Sequence, residues 1–358
     1  MARSVIPFGP QHPVLPEPLH LTLTVEDEIV KEALPKLGYV HRGLEKLTEI
    51  RDHNQMIQIV ERVCGICSCM HAQCYCQGIE ELMNIQVPSR AEYLRVIWAE
   101  MHRIHSHLLW LGLFADAFGF ESLFMQIWRI RERVMDLQEA TAGNRVIVSV
   151  NCVGGVRRDI SAENQKWILD TMKTMEKELL QLKSTIMDDF TVKKRTVGIG
   201  VLSKEKAYEL GAAGPTLRGS GIAQDMRQTG YAAYSELDFE PIVETDGDCY
   251  ARNLVRFNET LQAIDLIRQA FAKLPDSELA VKPKGLPNGE VVARVEQPRG
   301  EVLYYLKATG KKYLDRVRIR TPTFANIPPL LEMLPGCDLA DVPVLILTID
   351  PCISCTER

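Results

Sequence analysis

Two cysteine-rich stretches at opposite ends of the chain decide how this sequence folds: ERVCGICSCMH at Glu61–His71 and DPCISCTER at Asp350–Arg358. Each contains a C-x-x-C pair, the shortest spacing at which two thiolates reach one metal ion. Thiolates are soft ligands that favour nickel, iron, zinc or copper(I) over magnesium and calcium. One such pair is a weak indication, because redox dithiols share the spacing. Two pairs so far apart indicate a buried metal site where both ends of the chain meet.

The chemistry of the N-terminal cluster leaves three interpretations open. Cys64 and Cys67 could hold zinc. They could also join Cys69 and Cys74 around an iron–sulfur cluster, which usually takes four cysteines from one or two compact runs. In the third interpretation these residues are core cysteines of the helix that follows.

The apolar run Val342–Ile349 precedes the C-terminal pair and is typical of a fully buried strand. Asp350 is predicted to cap a helical turn after this strand, with Pro351 at the first position of the turn. Backbone N–H groups at such a turn favour the thiolate form of nearby cysteines. The C-terminal pair is therefore expected at a buried strand-to-helix junction that promotes metal binding.

The composition is that of a globular protein and excludes several function classes. The 358 residues include 42 Lys and Arg against 47 Asp and Glu, a net charge of −5, which argues against a nucleic-acid partner. No apolar run reaches the roughly 18 residues of a membrane-spanning helix. The N-terminus lacks the apolar stretch of a signal peptide, so the ten cysteines are expected in a reducing cytoplasm, where thiols serve metals or chemistry.

Hydrophobic periodicity predicts an α+β protein in which helices dominate. Alternation of apolar and polar residues over 19–25 and 291–306 predicts strands. Ser89–Phe118 is predicted to be one long helix, opened by a capping box between Ser89 and Glu92. Helical spacing predicts three further helices, over Val30–Thr48, Ser161–Asp188 and Asn253–Leu274.

The two cysteine stretches resemble the signature motifs of [NiFe]-hydrogenase large subunits. Other segments resemble a sister family, the 49-kDa-type subunit of respiratory complex I: GPQHP from Gly9, GYVHRGLEK from Gly38, SHLLWLG from Ser106, GPTLRGSG from Gly214 and TDGDCY from Thr245. The combination is similar to the energy-converting, Ech-type membrane-bound hydrogenases. The resemblance runs nearly end to end and implies a single domain over residues 1–358, mostly helical, with a central helix bundle and small antiparallel sheets.

The resemblance also implies the ligands of a nickel–iron centre. Cys64 and Cys352 correspond to terminal nickel thiolates, and Cys67 and Cys355 to thiolates that bridge nickel to an iron carrying CO and CN⁻. The other cysteines of the N-terminal cluster correspond to residues that bind no metal, which disfavours an iron–sulfur cluster. His71 corresponds to a histidine that donates a hydrogen bond to a bridging thiolate and so tunes the metals.

Further residues resemble groups placed around that centre. Glu17, in LPEP, corresponds to the glutamate that exchanges protons with the metal site, a base that the splitting of H₂ requires. Arg299, in QPRG, corresponds to an arginine over the metal pair, where its guanidinium can bond cyanide, and Pro298 is assigned with it to cofactor binding. Thr348 matches the hydroxyl bonded to a second cyanide, and Asp350 matches the carboxylate beside the arginine.

The sequence departs from the hydrogenase pattern at two places. Glu45 matches a carboxylate ligand of a structural Mg²⁺ site, whereas Arg358, a poor metal ligand, stands where many hydrogenases have a histidine ligand. A carboxylate usually found near the active site has no clear counterpart. Gly112 stands at its position, with Asp116 one turn later.

The resemblance implies the catalytic subunit of an energy-converting hydrogenase, which interconverts H₂ with two protons and two electrons. Electrons would be exchanged with ferredoxin through a small subunit that carries a [4Fe-4S] cluster. Further complex I-like hydrophilic and membrane subunits would hold the chain at the cytoplasmic face of the cell membrane. Two alternatives stay open: a complex I-like quinone-module subunit, against which the four cysteines argue, and a zinc-stapled structural subunit.

Overall fold

The structure is a computed structural model that describes residues 3–358, and it confirms the predicted α+β class. Helices account for most of the regular structure, and three short 3₁₀ turns join them. The α-helices are α1 (Leu44–Leu47), α2 (Ile57–Glu61), α3 (Ser68–Leu82), α4 (Ser89–Ala117), α5 (Glu121–Ala142), α6 (Ala162–Met187), α7 (Phe190–Lys194), α8 (Lys204–Glu209), α9 (Pro215–Arg218), α10 (Cys249–Ala272), α11 (Pro322–Met333), α12 (Val342–Thr348) and α13 (Ile353–Glu357).

The strands form three small antiparallel sheets, each made of strands that follow one another in sequence. The strands predicted over 19–25 and 291–306 are confirmed, the second region being a hairpin. The strands are β1 (Arg3–Phe8), β2 (His20–Glu26), β3 (Ile29–Lys36), β4 (Asn151–Cys152), β5 (Gly155–Val156), β6 (Asn288–Gln297), β7 (Gly300–Thr309) and β8 (Arg316–Arg320).

The long helices form a bundle around α4, which is buried on nearly every side and packs against α5 and α10. The predicted helix over Ser161–Asp188 is confirmed as α6. Ser161 caps this helix by accepting a hydrogen bond from the Asn164 backbone N–H. Its apolar stripe from Ile168 to Ile186 faces the bundle. Burial of each large apolar side chain stabilises the folded protein by roughly 1.5–3 kcal/mol. The stripe therefore contributes more to the stability of α6 than the modest helix propensity of its residues.

Helix α3 lies across the β6–β7 hairpin and places the N-terminal cysteines. The close approach depends on Gly78, where a Cβ atom would come within 2.6 Å of Leu306 Cδ1. Alternate residues of β7, including Val302 and Tyr304, are fully buried beneath the helix. The start of α3, with Cys67 at its N-cap position, is thereby held above the buried face of the sheet.

The prediction of a buried strand over Val342–Ile349 is wrong, because this run forms helix α12. The segment is buried on all sides, so its apolar run shows neither the helical spacing nor the alternation of a half-buried strand. Such a run fits either structure. Asp350 does not cap the following turn. It adopts φ 52°, a left-handed conformation that Asp tolerates, and Cys352 takes the N-cap position of α13 instead.

Three helix predictions also needed correction. Val30–Thr48 is not a helix: β3 occupies its first part, and only the single turn α1 follows the glycine-rich loop 38–43. The capping box at Ser89 is wrong, since Ser277 from a distant loop accepts the hydrogen bond of the Arg90 N–H. The helix predicted from Asn253 begins at Cys249, one turn earlier.

Candidate metal centre

The two C-x-x-C pairs converge on one buried point, as their spacing predicted. Cys64 and Cys67 lie in the turn between α2 and α3, and Cys352 and Cys355 lie at the start of α13. The Cys64 and Cys352 Sγ atoms are 3.3 Å apart, and those of Cys67 and Cys355 are 3.6 Å apart. The Cys64, Cys67 and Cys355 sulfurs all lie within 4.8 Å of one another. None of the four residues is more than 3% exposed.

The electrostatics of this cluster favour a cation. Hydrogen bonds from the thiols of Cys352, Cys355 and Cys67 lower the pKa of Cys64 well below its ordinary range. Burial raises the pKa of Cys67 and of Cys355 well above theirs. Four buried thiols this close together therefore cannot all ionise without further positive charge beside them. A soft metal ion would stabilise all four as thiolates, since a coordinating thiol is deprotonated outright.

His71 connects the cluster to the sheet beneath it. Its Nε2 lies 3.4 Å from Cys355 Sγ, and its Nδ1 lies 2.7 Å from the Tyr304 hydroxyl. Burial lowers the pKa of His71 to about 4, so the imidazole is neutral at pH 7 and carries one N–H. Donation from Nε2 to Cys355 leaves Nδ1 to accept from Tyr304, which fixes the ring orientation. His71 thus lies beside Cys355 Sγ, and its role in tuning a metal stays a prediction.

Arg299 and Asp350 form a buried pair next to the thiols. Arg299 lies in the turn between β6 and β7, where Nε donates to the Asp350 carbonyl at 2.7 Å and Nη2 donates to Asp350 Oδ1 at 2.9 Å. Nη1 donates to Ser106 Oγ of α4 at 3.2 Å. Three contacts fix the plane of the guanidinium, and Pro298, also buried, precedes it in the turn. Sequence reasoning assigned no role to Ser106, although it opens the SHLLWLG segment.

A cavity of about 400 Å³ borders Cys352, Arg299 and Asp350, and Glu17 lies in its wall. The rest of the wall is mostly apolar. The Glu17 carboxylate accepts hydrogen bonds from the backbone N–H of Ser354, at 3.0 Å, and from the Ser354 hydroxyl. Glu17 is thus anchored between the two C-terminal cysteines and faces the same cavity as the arginine.

An aromatic ring covers Gly112, the position that corresponds to the missing carboxylate. A Cβ atom on Gly112 would lie 2.4 Å from Nε1 of Trp128, whose indole packs directly on the glycine backbone. Trp128 also lines the cavity and has the Arg131 guanidinium 5.2 Å from its ring centroid. The cavity wall is therefore apolar at the position where the resemblance to hydrogenases implies an acid.

Thr348 lies outside this immediate group of contacts. Its hydroxyl donates to the Leu345 carbonyl at 2.9 Å and accepts from Arg252 Nε at 3.2 Å. Its Oγ1 is also 3.6 Å from Cys249 Sγ. The cofactor role assigned to Thr348 stays a prediction.

The surroundings of Glu45 do not fit a Mg²⁺ site. Glu45 Oε1 accepts from the Ile319 N–H at 2.9 Å and from Arg358 Nε at 3.0 Å, and Oε2 accepts from Arg318 Nη1 at 3.2 Å. Burial opposes ionisation, but these hydrogen bonds outweigh it and lower the pKa of Glu45. Two guanidinium groups thus supply the positive charge, and arginine offers no lone pair to a metal ion.

The remaining cysteines of the N-terminal cluster make other contacts. Cys69 accepts a hydrogen bond from Asn151 Nδ2 at 3.4 Å, and Cys74 lies 3.9 Å from the Val302 carbonyl. Burial raises the pKa of Cys69 to about 12, so it is a neutral thiol. These contacts disfavour an iron–sulfur cluster built from the N-terminal stretch alone.

Sequence reasoning missed the residues that anchor the C-terminal stretch. The Glu357 carboxylate accepts from the backbone N–H groups of Gly38 and Val40, at 2.6 and 2.5 Å. Arg42 donates to the carbonyls of Val63 and Ser354, one beside each cysteine pair. Both contacts involve the GYVHRGLEK segment. Its resemblance to the 49-kDa-type subunit was the sequence signal that could have pointed to these residues.

Comparisons with known proteins agree with the motifs. The family model described as "Respiratory-chain NADH dehydrogenase, 49 Kd subunit" matches residues 117–285 and 279–358, and the model "Nickel-dependent hydrogenase" matches residues 42–114. The chain belongs to this hydrogenase and complex I family. The resemblance inferred from the sequence is therefore confirmed.

Individual members of the family are similar over nearly the whole chain. The carbon monoxide-induced hydrogenase of Rhodospirillum rubrum is 40% identical, with 100% of both chains covered. Membrane-bound hydrogenase subunit alpha of Pyrococcus furiosus is 40% identical over 99% of this chain and 87% of its own. A chain of the membrane-bound sulfane sulfur reductase, an archaeal respiratory membrane complex, matches with TM-score 0.95 and 32% identity over 99% of this chain and 98% of that one.

Two of these relatives belong to membrane assemblies, a membrane-bound hydrogenase and a respiratory membrane complex, and the family is one of oxidoreductases. Within residues 3–358, none of the helices is both long and apolar enough to cross a bilayer.

Proposed function

We propose that this chain is the catalytic large subunit of an energy-converting [NiFe]-hydrogenase, which interconverts H₂ with two protons and two electrons. The convergence of four buried thiols from both chain ends, beside a guanidinium and an apolar cavity, carries the proposal. Cys64, Cys67, Cys352 and Cys355 would hold a nickel–iron pair with CO and CN⁻ on the iron. When bound, that pair supplies the redox centre at which H₂ is split.

The surrounding residues have distinct tasks in this proposal. Arg299, held in one plane by Asp350 and Ser106, presents positive charge to the cavity and would bond a cyanide. His71 would hold the Cys355 sulfur in place. Glu17 would accept a proton at its carboxylate and release it toward the exterior, because it faces the cavity and is anchored at Ser354. The apolar wall would admit H₂ and exclude water.

Electrons leave through partners in this proposal. Elsewhere in residues 3–358, no further group of cysteines, histidines and carboxylates gathers as a metal site. A small subunit with a [4Fe-4S] cluster would therefore carry electrons to ferredoxin. Complex I-like hydrophilic and membrane subunits would hold the chain at the inner face of the cell membrane.

The alternative is a complex I-like quinone-module subunit without hydrogenase activity, which the match to the 49-kDa family model favours. Metal analysis and infrared spectroscopy of the purified complex distinguish the two. We expect nickel and iron, with infrared bands of CO and CN⁻. Zinc without these bands would indicate a structural site, and absence of bound metal would favour the quinone-module alternative.

Substitution of the proposed proton carrier is expected to separate metal binding from proton transfer. In Glu17→Gln the amide oxygen can still accept from Ser354, but the side chain cannot carry a proton. We expect nickel content and infrared bands to be retained, while H₂/D₂O exchange falls about 10²–10⁴-fold, the usual contribution of a positioned acid or base. Glu32→Gln, on the exposed face of β3, is the control. Unchanged exchange in Glu17→Gln would exclude this role.

A further inference from the structure

A network of paired charges lies buried among α4, α9 and α10, and the mechanism proposed above uses none of it. Arg218 of α9 donates to Glu259 of α10 at 2.8 Å and to Glu296 of β6 at 2.8 Å, and lies 3.1 Å from Asp225. Asp225 also pairs with Arg227 at 2.8 Å. All five residues are at most 2% exposed. Burial of so many charges is costly even when they are paired.

Two short segments connect this network to the metal centre. Gln297 lies between Glu296 and Arg299, and neither atom of its buried amide has a hydrogen-bond partner. The start of α9 packs directly on the Arg299 carbonyl. Thr216, two residues before Arg218 on that helix, has a buried hydroxyl without a partner. Unpartnered polar atoms therefore lie on both routes between the arginine and the network.

A third connection runs along α10. Arg256 lies one turn before Glu259 and interacts electrostatically with both Asp350 and Glu259. Its Nε and Nη2, together with Asp350 Oδ2 and both amide atoms of Asn253, are buried without partners. Buried polar groups of this kind are normally satisfied by internal water. Water bound at these unpartnered atoms would form a polar, hydrated interior that links the Arg299 side of the metal centre to Glu259.

The other end of the network opens on a second cavity. This cavity, of about 190 Å³, is lined by residues 211–214 together with Glu296, Glu301 and Arg320. Tyr208 at its edge is 79% exposed, so the cavity reaches the surface. It is separate from the apolar cavity that contains Glu17.

Glu296 is surrounded by charged and polar groups from every element packed against it. Arg218 donates to Oε1, the Met226 N–H donates to Oε2 at 3.0 Å, and Arg103 of α4 donates to the Glu296 carbonyl at 2.9 Å. The Tyr231 hydroxyl accepts from the Glu296 N–H. Asp225 lies close enough to repel the carboxylate, and Glu301 and Arg320 line the same cavity.

We propose that Glu296 is a proton-transfer residue that takes up one of the two protons released at the metal centre and passes it to the second cavity. This inference rests on the proposed function. Oxidation of one H₂ gives two protons and two electrons, and the electrons leave through the iron–sulfur partner. One proton leaves by Glu17. The other crosses the hydrated interior to the Glu296 carboxylate, which becomes a carboxylic acid and then releases the proton, with no net change.

The acidity of Glu296 suits this task. Burial and the nearby Asp225 raise the pKa of Glu296 to about 7, although Arg218 opposes the shift. Both protonation states are therefore accessible near neutral pH. Since the ionised form is the acceptor, H₂ oxidation is expected to accelerate as pH rises through about 7. The guanidinium groups of the network stay charged and orient the carriers without transferring protons.

The test compares net turnover with isotope exchange in the purified complex. Exchange between H₂ and D₂O requires only one proton to equilibrate, whereas net oxidation must release both. Glu296→Gln should lower net H₂ oxidation at least tenfold at unchanged nickel content, change exchange less than twofold, and remove the rate increase near pH 7. It should also remove a protonated-carboxyl infrared band that titrates there. Glu290→Gln, on the exposed part of the same strand, should alter none of these.

A second variant distinguishes the loss of proton transfer from misfolding of Glu296→Gln. Ala212→Leu adds bulk in the wall of the second cavity and leaves every charge in place, so it should produce the same split between turnover and exchange. Wild-type net turnover in Glu296→Gln at full nickel content, or an equal fall in turnover and exchange, would contradict the proton relay through Glu296. Neither result would contradict the proposed hydrogenase function. Wild-type enzyme with neither turnover nor exchange would instead contradict the proposed hydrogenase function, and the relay would fall with it.

Discussion

Cys64→Ser is expected to lose its nickel and its hydrogenase activity together. Cys64 Sγ lies 3.3 Å from Cys352 Sγ in a fully buried cluster, and its pKa is lowered by hydrogen bonds from the neighbouring thiols, Cys352 foremost. Serine offers a harder oxygen that stays protonated, so the soft metal loses one of four ligands. We expect nickel to fall to background and H₂ turnover to fall by more than about 100-fold, the most that loss of a group supporting a ligand usually costs. Cys355→Ser should behave in the same way.

The matched control is Cys69→Ser, which makes the same chemical change two residues after Cys67. Cys69 is equally buried but contacts Asn151, which can donate to a serine hydroxyl as it does to the thiol. Nickel content and turnover should stay near those of the wild type. Metal analysis, CO and CN⁻ infrared bands and H₂-dependent dye reduction check both variants. Retention of nickel in Cys64→Ser, or its loss in Cys69→Ser, would refute the ligand assignment.

The convergence of the thiols could be predicted because the residue type limits the possibilities. Four cysteines in two C-x-x-C pairs have few uses other than a shared metal site or redox pairs. The long helices were also predictable, since α6 carries both an apolar stripe and a local cap at Ser161. The stripe and the cap both depend on residues that are close together in the sequence, so a local pattern is enough to predict them.

Features that depend on distant contacts could not be predicted. The apolar run of α12 fits a strand or a helix equally well because it is buried on all sides, and only its contacts with the rest of the protein decide between them. Helix α4 takes its cap from Ser277, far away in the sequence. Likewise, Trp128 covers Gly112 from another helix, so the sequence around the glycine gives no sign of the aromatic wall.

The buried charge network shows the same limit more strongly. Arg218, Asp225, Glu259 and Glu296 come from four separate segments, and each alone resembles an ordinary surface residue. The pairing that makes their burial tolerable exists only after the helices and the β6–β7 hairpin assemble. Sequence reasoning found Arg299, three residues from Glu296, but had no means of finding the route behind it.

Arg299→Lys is expected to retain nickel while losing most of the turnover. The guanidinium makes three directed contacts, two with Asp350 and one with Ser106, which hold its charge facing the cavity. A lysine ammonium is a flexible point charge that cannot keep this geometry. We expect turnover to fall about 10²–10³-fold, as when one preorganised donor is removed from an active site. Nickel content should stay within twofold, because none of the four sulfurs is changed.

Arg316→Lys is the matched control, since Arg316 also donates to a carboxylate, that of Glu49, but lies on β8 away from the cavity. Its turnover should change less than twofold. A shift of the CN⁻ infrared bands in Arg299→Lys, with nickel retained, would show that the arginine acts on the iron ligands themselves. Wild-type turnover in Arg299→Lys would mean that positive charge near the thiols is sufficient, and that the fixed plane contributes nothing to the reaction.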